Sequence, residues 1–149
     1  MTKQETLHGI PLFQKLTADE AGELSALFEE RSYSPSAKVF EEGTPSSSLF
    51  FIHSGTVEVI KLINGKETVL ATYADGEFFG EMALFEYAPR SATVRTVVDT
   101  MLLEIGKEAF DNLVVEKPGI AAKMLYGMME EMSRRLRKTS PGAKQSFFF

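Results

Sequence analysis

The segment 79–94 carries two residue types that suit the binding of a small anion, an acid at position 81 and a base nine positions later. Gly80 has no Cβ, so the backbone there can approach a ligand closely. Residues 81–85 favour a short helix, whose first N–H groups have no internal partners and can donate to an anion. Glu81 only accepts hydrogen bonds, which suits a sugar hydroxyl, whereas Arg90 is permanently charged and forked, which suits phosphate oxygens. The segment therefore predicts a site for a small anionic ligand that carries a sugar.

The residues around Arg90 favour the same chemistry. Pro89 fixes the approach of the chain to Arg90, and Ser91 and Ala92 offer a hydroxyl and backbone N–H groups beside it. Without a ligand, Glu81 could simply pair with Arg90. A buried ion pair is weak evidence for stability because desolvation offsets much of the attraction. This argues that the two charges are present for a ligand.

The middle of the chain is predicted to be β-structure. Glycines at positions 43, 55, 65 and 76 recur every ten to twelve residues with β-rich runs between them, which is typical of a sandwich or barrel. Asn64–Gly65 predicts a two-residue hairpin, and Asp75–Gly76 marks the next turn. The clearest predicted strands are 49–53, 56–63, 67–73, 92–97 and 101–105.

Helices are predicted at both ends of this β-region. Thr17 and Glu20 form a capping box at the start of one helix, and Pro118–Gly119 breaks another. Apolar residues at three- and four-residue steps predict the final, longer helix. Two ion pairs between residues four positions apart are also predicted in it, Glu130–Arg134 and Glu131–Arg135. The predicted helices are 18–28, 107–116 and 120–138, and residues 10–13 are predicted to form a short helical or turn segment.

Composition excludes several classes of protein. The 149 residues suit one domain, and a hydrophobic share of 44% with a charged share of 25% is ordinary for a globular protein. A formal charge of -5 disfavours the wrapping of nucleic acid. The chain has no cysteine, and its two histidines, His8 and His53, are too far apart in sequence to suggest a metal cluster. No apolar run approaches the roughly 20 residues that span a bilayer, and the start of the chain lacks the apolar core of a signal peptide. A cytoplasmic protein is expected.

The sequence FGEMALFEYAPRSATV closely resembles the phosphate-binding cassette of cyclic nucleotide-binding domains, the receptor modules of catabolite activators, cyclic-nucleotide-dependent kinases and gated channels. We call residues 79–94 the cassette. The resemblance implies a mainly β fold with flanking helices, an eight-stranded jelly-roll-like β-barrel (a double-stranded β-helix) with N-terminal helices and a C-terminal lid or dimerisation helix. The expected domain is 1–140, divided into N-terminal helices 1–28, barrel 29–106 and C-terminal helices 107–138, followed by a tail 141–149.

The resemblance also implies which residues contact the ligand. The ribose and phosphate are implied to contact Gly80, Glu81 and Ala83 from one side. The phosphate is implied to contact Arg90, Ser91 and Ala92 from the other, and Met82 is also among the expected ligand-binding residues. Leu70 is expected to line an apolar slot for the base. Ser91 follows Arg90 as in the cAMP-binding activators, which favours cAMP over cGMP as the regulatory ligand. No catalytic residue, metal or other cofactor is expected.

The final predicted helix admits three roles. Its methionines at 124, 128, 129 and 132 suit core packing, a short dimer seam or a lid over the base, and these roles are compatible. Thr139 and Ser140 resemble an adenine-reading pair of the catabolite activator. Because Pro141–Gly142 ends the helix directly after them, we favour a simple helix end and leave both out of the predicted site.

The predicted function is a sensor in which the ligand closes the cassette and repositions the last helix. The alternative is a scaffold of the same fold that binds partners or dimerises without nucleotide. An enzyme is not expected because no hydrolase motif is present. DNA binding by this chain is not expected either, because only eleven residues follow Lys138. The effector is unknown, and Phe147–Phe149 suits either a docking end or a loose tail.

Overall fold

The structure is a computed structural model that describes residues 1–138, and within them two four-stranded antiparallel sheets are flanked by helices at both ends. The strands are β1 Glu29–Tyr33, β2 Lys38–Phe40, β3 Ser48–Ser54, β4 Thr56–Ile63, β5 Lys66–Ala74, β6 Phe78–Phe79, β7 Thr93–Thr96 and β8 Thr100–Gly106. The helices are α1 Lys3–His8, α2 Ala18–Ser25, α3 Lys107–Glu116 and α4 Pro118–Arg137, with 3₁₀ turns at Pro11–Phe13 and Glu81–Leu84. The mainly β architecture with flanking helices is confirmed.

The strand order places the two ends of the cassette in different sheets. One sheet has the order β1-β8-β3-β6 and the other β2-β7-β4-β5. The cassette begins in β6, at the edge of the first sheet, and ends in β7, inside the second. The predicted hairpin is present, since β4 and β5 pair from Thr56 with Ala74 to Ile63 with Lys66, and Asn64 and Gly65 both have positive φ.

The structure corrects several boundaries. The strands β1, β2 and β6 were not among those predicted, because β1 is a mostly exposed EERSY run without alternation and the other two have only three and two residues. Helix α2 ends at Ser25 instead of Phe28, whose N–H already bonds three residues back to the Ser25 carbonyl. Pro118 begins α4 instead of preceding it, since a first helical position needs no backbone N–H.

Two apolar clusters fill the fold, one on each face of β3. Leu49 and Phe51 join the cluster beneath the helices, whereas Phe50 and Ile52 join the cluster inside the barrel. Side chains alternate across a strand, so β3 is buried on both faces and lacks the polar alternation of a half-exposed strand. The barrel cluster also contains Phe79, from the start of the cassette.

Helix α4 packs on the barrel through its predicted apolar face. Met124 and Met128 are buried in the helix-side cluster and Met132 packs against it, whereas Met129 is 63% exposed. Core packing is therefore the role of three of the four methionines.

The ion pairs of α4 differ in part from the prediction. The pair between Glu131 and Arg135 is present at 3.7 Å, but Arg134 pairs with Glu131 as well, and Glu130 pairs with Lys15. The predicted Glu130–Arg134 pair was therefore wrong, because both partners find other charges.

No helix within residues 1–138 has the length and hydrophobicity needed to cross a membrane. Over the same residues, no group of three or more His, Asp or Glu side chains is placed to hold a metal ion.

Candidate functional site

The cassette is a tight excursion of the chain between the two sheets. After β6, Gly80 takes a left-handed conformation with φ of 79°, and the chain enters the predicted short helix as a 3₁₀ turn over Glu81–Leu84. On its return, the backbone of Arg90 is fixed on both sides, since its N–H donates to the Thr44 carbonyl and its carbonyl accepts from the Gly43 N–H, each at 2.8 Å. Two backbone hydrogen bonds to the loop before β3 therefore fix the position of Arg90.

The Arg90 guanidinium is buried and held by backbone carbonyls. Nη2 donates to the Ser48 carbonyl at 2.8 Å and Nη1 to the Gly80 carbonyl at 3.4 Å, while the guanidinium lies 3.9 Å from the centre of the Phe40 ring. Its Nε is buried and has no hydrogen-bond partner in the part of the chain that the structure describes. Burial lowers the pKa of Arg90 to about 10, opposed by the charges of Glu104 and Glu81, so the side chain stays cationic at neutral pH.

Gly80 is required by this arrangement as well as by its own φ angle. A Cβ at position 80 would lie 2.8 Å from Nη1 of Arg90, 3.4 Å from the Ser48 carbonyl oxygen and 3.6 Å from Phe40. From the sequence, we expected Gly80 to allow the close approach of a ligand. The structure adds a second reason, because the space of the missing side chain admits Arg90.

Glu81 is fully buried, and neither of its carboxylate oxygens accepts a hydrogen bond from another residue among those described. Burial raises its pKa, opposed by its own backbone N–H and by the charges of Arg135 and Arg90. The suggestion that Glu81 pairs with Arg90 was wrong. Its ion pair is with Arg135, whose Nη1 lies 3.9 Å from Oε1, because Arg90 is drawn to backbone carbonyls.

Arg135 connects α4 to this carboxylate. Its guanidinium lies 4.3 Å from the ring centre of Tyr73 and 4.4 Å from that of Phe78, and Nη2 donates to the Phe78 carbonyl oxygen. Sequence reasoning missed this role. A signal was present, since Arg135 continues the three- and four-residue steps of Met128 and Met132 into the buried face of α4.

The other predicted site residues are only partly brought together. Within the cassette, Ala83 and Ala92 are buried, whereas Met82 and Ser91 are exposed. Leu70 is half-buried on β5 and packs against the barrel cluster that contains Ala92. Their contacts with a ligand remain predictions. Thr139, Ser140 and the tail lie outside the described residues.

Comparisons with known proteins show which family the chain belongs to. A family model described as "Cyclic nucleotide-binding domain" matches residues 30–117. The cAMP-dependent protein kinase regulatory subunit of Colletotrichum orbiculare is 35% identical over 123 residues, which are 83% of this chain and 31% of the relative. The Cyclic AMP receptor protein of Thermus thermophilus is 32% identical over 133 residues, which are 89% of this chain and 60% of the relative.

A solved cyclic nucleotide-binding domain from Methylobacillus flagellatus has a TM-score of 0.79 at 26% identity, and the match covers 91% of this chain and 76% of that one. The chain thus spans less than a third of the kinase subunit's length and three fifths of the receptor's. The matched residues 30–117 are more than half of its 149 residues. The chain belongs to the family of cyclic nucleotide-binding domains.

Proposed function

We propose that this chain is a regulatory module that binds cAMP, in preference to cGMP, in the cassette. The observation that carries the proposal is the fully buried Glu81 carboxylate, whose oxygens accept no hydrogen bond from any other described residue. Buried polar groups are normally satisfied, because leaving one unpaired costs about 1–3 kcal/mol. A ribose 2′-hydroxyl would supply the missing hydrogen-bond donor for the Glu81 carboxylate.

Arg90 would supply the charge for the cyclic phosphate. Its two terminal nitrogens are held by carbonyl oxygens while its buried Nε keeps a donor unused among the described residues. A buried cation interacts more strongly with an anion than an exposed one does, because less water screens the pair. The site therefore favours a ligand with a hydroxyl that can donate to Glu81 and an anionic group that can bind Arg90, and a sugar phosphate has both.

The preference for cAMP rests on two lines of support. The two curated relatives described above are named for cAMP. In this chain Ser91 follows Arg90, as in the cAMP-binding activators that the cassette resembles. Neither line reaches the base itself, so the two nucleotides must be compared directly.

The proposed mechanism is a population shift of α4. Arg135 contacts the Glu81 carboxylate and the carbonyl of Phe78, so one side chain of α4 senses both the acid of the cassette and the strand before it. A ligand hydroxyl that bonds to Glu81 changes the energy of the Glu81–Arg135 pair. The balance between positions of α4 then changes by the difference in ligand affinity between them.

The ribose contact is tested with cAMP and 2′-deoxy-cAMP on the wild type and on Glu81→Ala. A hydrogen bond to a charged group contributes about 1.5–3 kcal/mol, so the wild type should bind cAMP about ten- to 150-fold more tightly than the deoxy ligand. Glu81→Ala should bind both with similar affinity. The comparison is a ratio within each protein, so a loss of stability in the variant does not affect it. An unchanged ratio in Glu81→Ala would refute the assignment.

A second role, dimerisation through α4, is supported by its outer face. Tyr126, Met129 and Leu136 are each more than half exposed and lie at three- and seven-residue steps on that face. We propose that this stripe pairs two copies of the chain. Light scattering should show a dimer for the wild type and a monomer for Met129→Glu, and a monomeric wild type would exclude this role.

A further inference from the structure

A second carboxylate, that of Glu104, is connected to Arg90 through Ser48. Ser48 joins the two, because its carbonyl accepts from Nη2 of Arg90 at 2.8 Å and its hydroxyl donates to Oε2 of Glu104 at 2.7 Å. The other oxygen of Glu104 accepts from Nε of Arg31 at 2.9 Å. A chain of contacts thus runs from a surface arginine, through an acid and a serine, to the buried guanidinium.

The placement of Glu104 follows from the sheet. β8 lies between β1 and β3, and Glu104 pairs with Glu29 on one side and Phe50 on the other. Along β8, Leu103 and Ile105 face the helix-side cluster, while Leu102 faces the barrel interior. Glu104 lies two positions from Leu102, so its side chain is on the barrel side, where Arg90 is buried.

We propose that Glu104 is an affinity-setting residue of the phosphate site, a built-in negative charge that weakens the binding of the anionic ligand at Arg90. This inference rests on the proposed function. Glu104 keeps the buried Arg90 cation partly neutralised when no ligand is present, and it repels a phosphate when one binds. Arg31 offsets part of that repulsion from the surface side.

The direction of the effect follows from a thermodynamic cycle. The attraction between Glu104 and Arg90 is present with and without ligand, so to a first approximation it cancels from the binding free energy. The repulsion between Glu104 and the phosphate exists only in the complex. Removing the charge of Glu104 should therefore tighten binding, on the order of three- to tenfold for charges separated by several ångströms near a protein surface.

The test measures cAMP affinity by calorimetry at low ionic strength for the wild type, Glu104→Gln, Arg31→Met and Glu58→Gln. Gln at 104 can still accept from the Ser48 hydroxyl, so it removes the charge and keeps the contact. Glu58 is a matched control, because its side chain is as exposed as that of Glu104, at 23%, and it also pairs with an arginine, Arg95.

We expect tighter binding for Glu104→Gln, slightly weaker binding for Arg31→Met, and no change for Glu58→Gln. The opposite signs are decisive, because both of the first two variants break the same ion pair. A merely structural pair would move both affinities in the same direction. Equal or weaker binding by Glu104→Gln overturns the inference while leaving the proposed function intact. A wild type that binds no cyclic nucleotide would overturn both, and it would do so before any variant is compared.

Discussion

Replacing Gly80 by alanine separates the two reasons for a glycine at this position. An alanine at position 80 would have to adopt the left-handed backbone conformation, which costs about 1–2 kcal/mol in a non-glycine residue. The added atom is its Cβ. It would also lie 2.8 Å from Nη1 of Arg90, closer than carbon and nitrogen approach without one moving. The atom that moves is the end of a flexible side chain. The Arg90 guanidinium should therefore lose its hydrogen bond to the Ser48 carbonyl, while the protein should still fold.

Gly65→Ala is the matched control for the strain alone. Gly65 has φ of 78°, nearly that of Gly80, but an added Cβ there would meet nothing within 4 Å. Denaturant unfolding should show a loss of about 1–2 kcal/mol for Gly65→Ala, from backbone strain alone. The loss for Gly80→Ala should be larger, because the hydrogen bond between Arg90 and the Ser48 carbonyl is broken as well. Calorimetry with cAMP should show wild-type affinity for Gly65→Ala. For Gly80→Ala, loss of a charged hydrogen bond of about 1.5–3 kcal/mol predicts binding weaker by about one to two decades. Equal cAMP affinity of the two variants would refute the proposal that the hydrogen bond between Arg90 and the Ser48 carbonyl positions Arg90 for the ligand.

Two further predictions concern the charges around Glu81. Burial raises the pKa of Glu81 above the ordinary 4.5, so the folded protein keeps the Glu81 proton to a higher pH than the unfolded chain does. The stability of the wild type should therefore fall relative to that of Glu81→Gln as the pH rises from about 4.5 through the raised pKa. Denaturant unfolding from pH 4 to 8 measures this, and parallel pH profiles of the two proteins would contradict it. Arg135→Met should destabilise the ligand-free protein by about 3–5 kcal/mol, because it leaves Glu81 buried without its cation. The double variant with Glu81→Gln should recover part of that loss, and simple additivity of the two changes would argue against the pairing.

The sequence suggests which residues form the site, but it does not predict how the structure holds them. The cassette is local, so the spacing of Gly80, Glu81 and Arg90 along the chain carries its chemistry. The partner of Glu81 comes from a helix more than fifty positions away, and only the packing of α4 on the barrel brings Arg135 to it. The seat of Arg90 on the Ser48 carbonyl involves a backbone group, which no side-chain pattern encodes.

The same distinction applies to the elements of the fold. The β4–β5 hairpin was predictable because Asn64–Gly65 determines its turn locally. Strand β6, with two residues, exists only because Phe50 and Phe51 of β3 pair with it. It has no periodicity of its own to detect. Such an element is defined by its neighbours, and it is the element that leads into the cassette.

The binding of a cyclic nucleotide is tested most directly by titrating the protein with cAMP and then with cGMP in a calorimeter, after unfolding and refolding to remove any carried ligand. The account predicts saturable binding of one cAMP per chain, tighter than the binding of cGMP. No heat with either nucleotide, together with an unchanged melting temperature, would contradict it. In that case the buried Glu81 and Arg90 would need an explanation that involves no cyclic nucleotide.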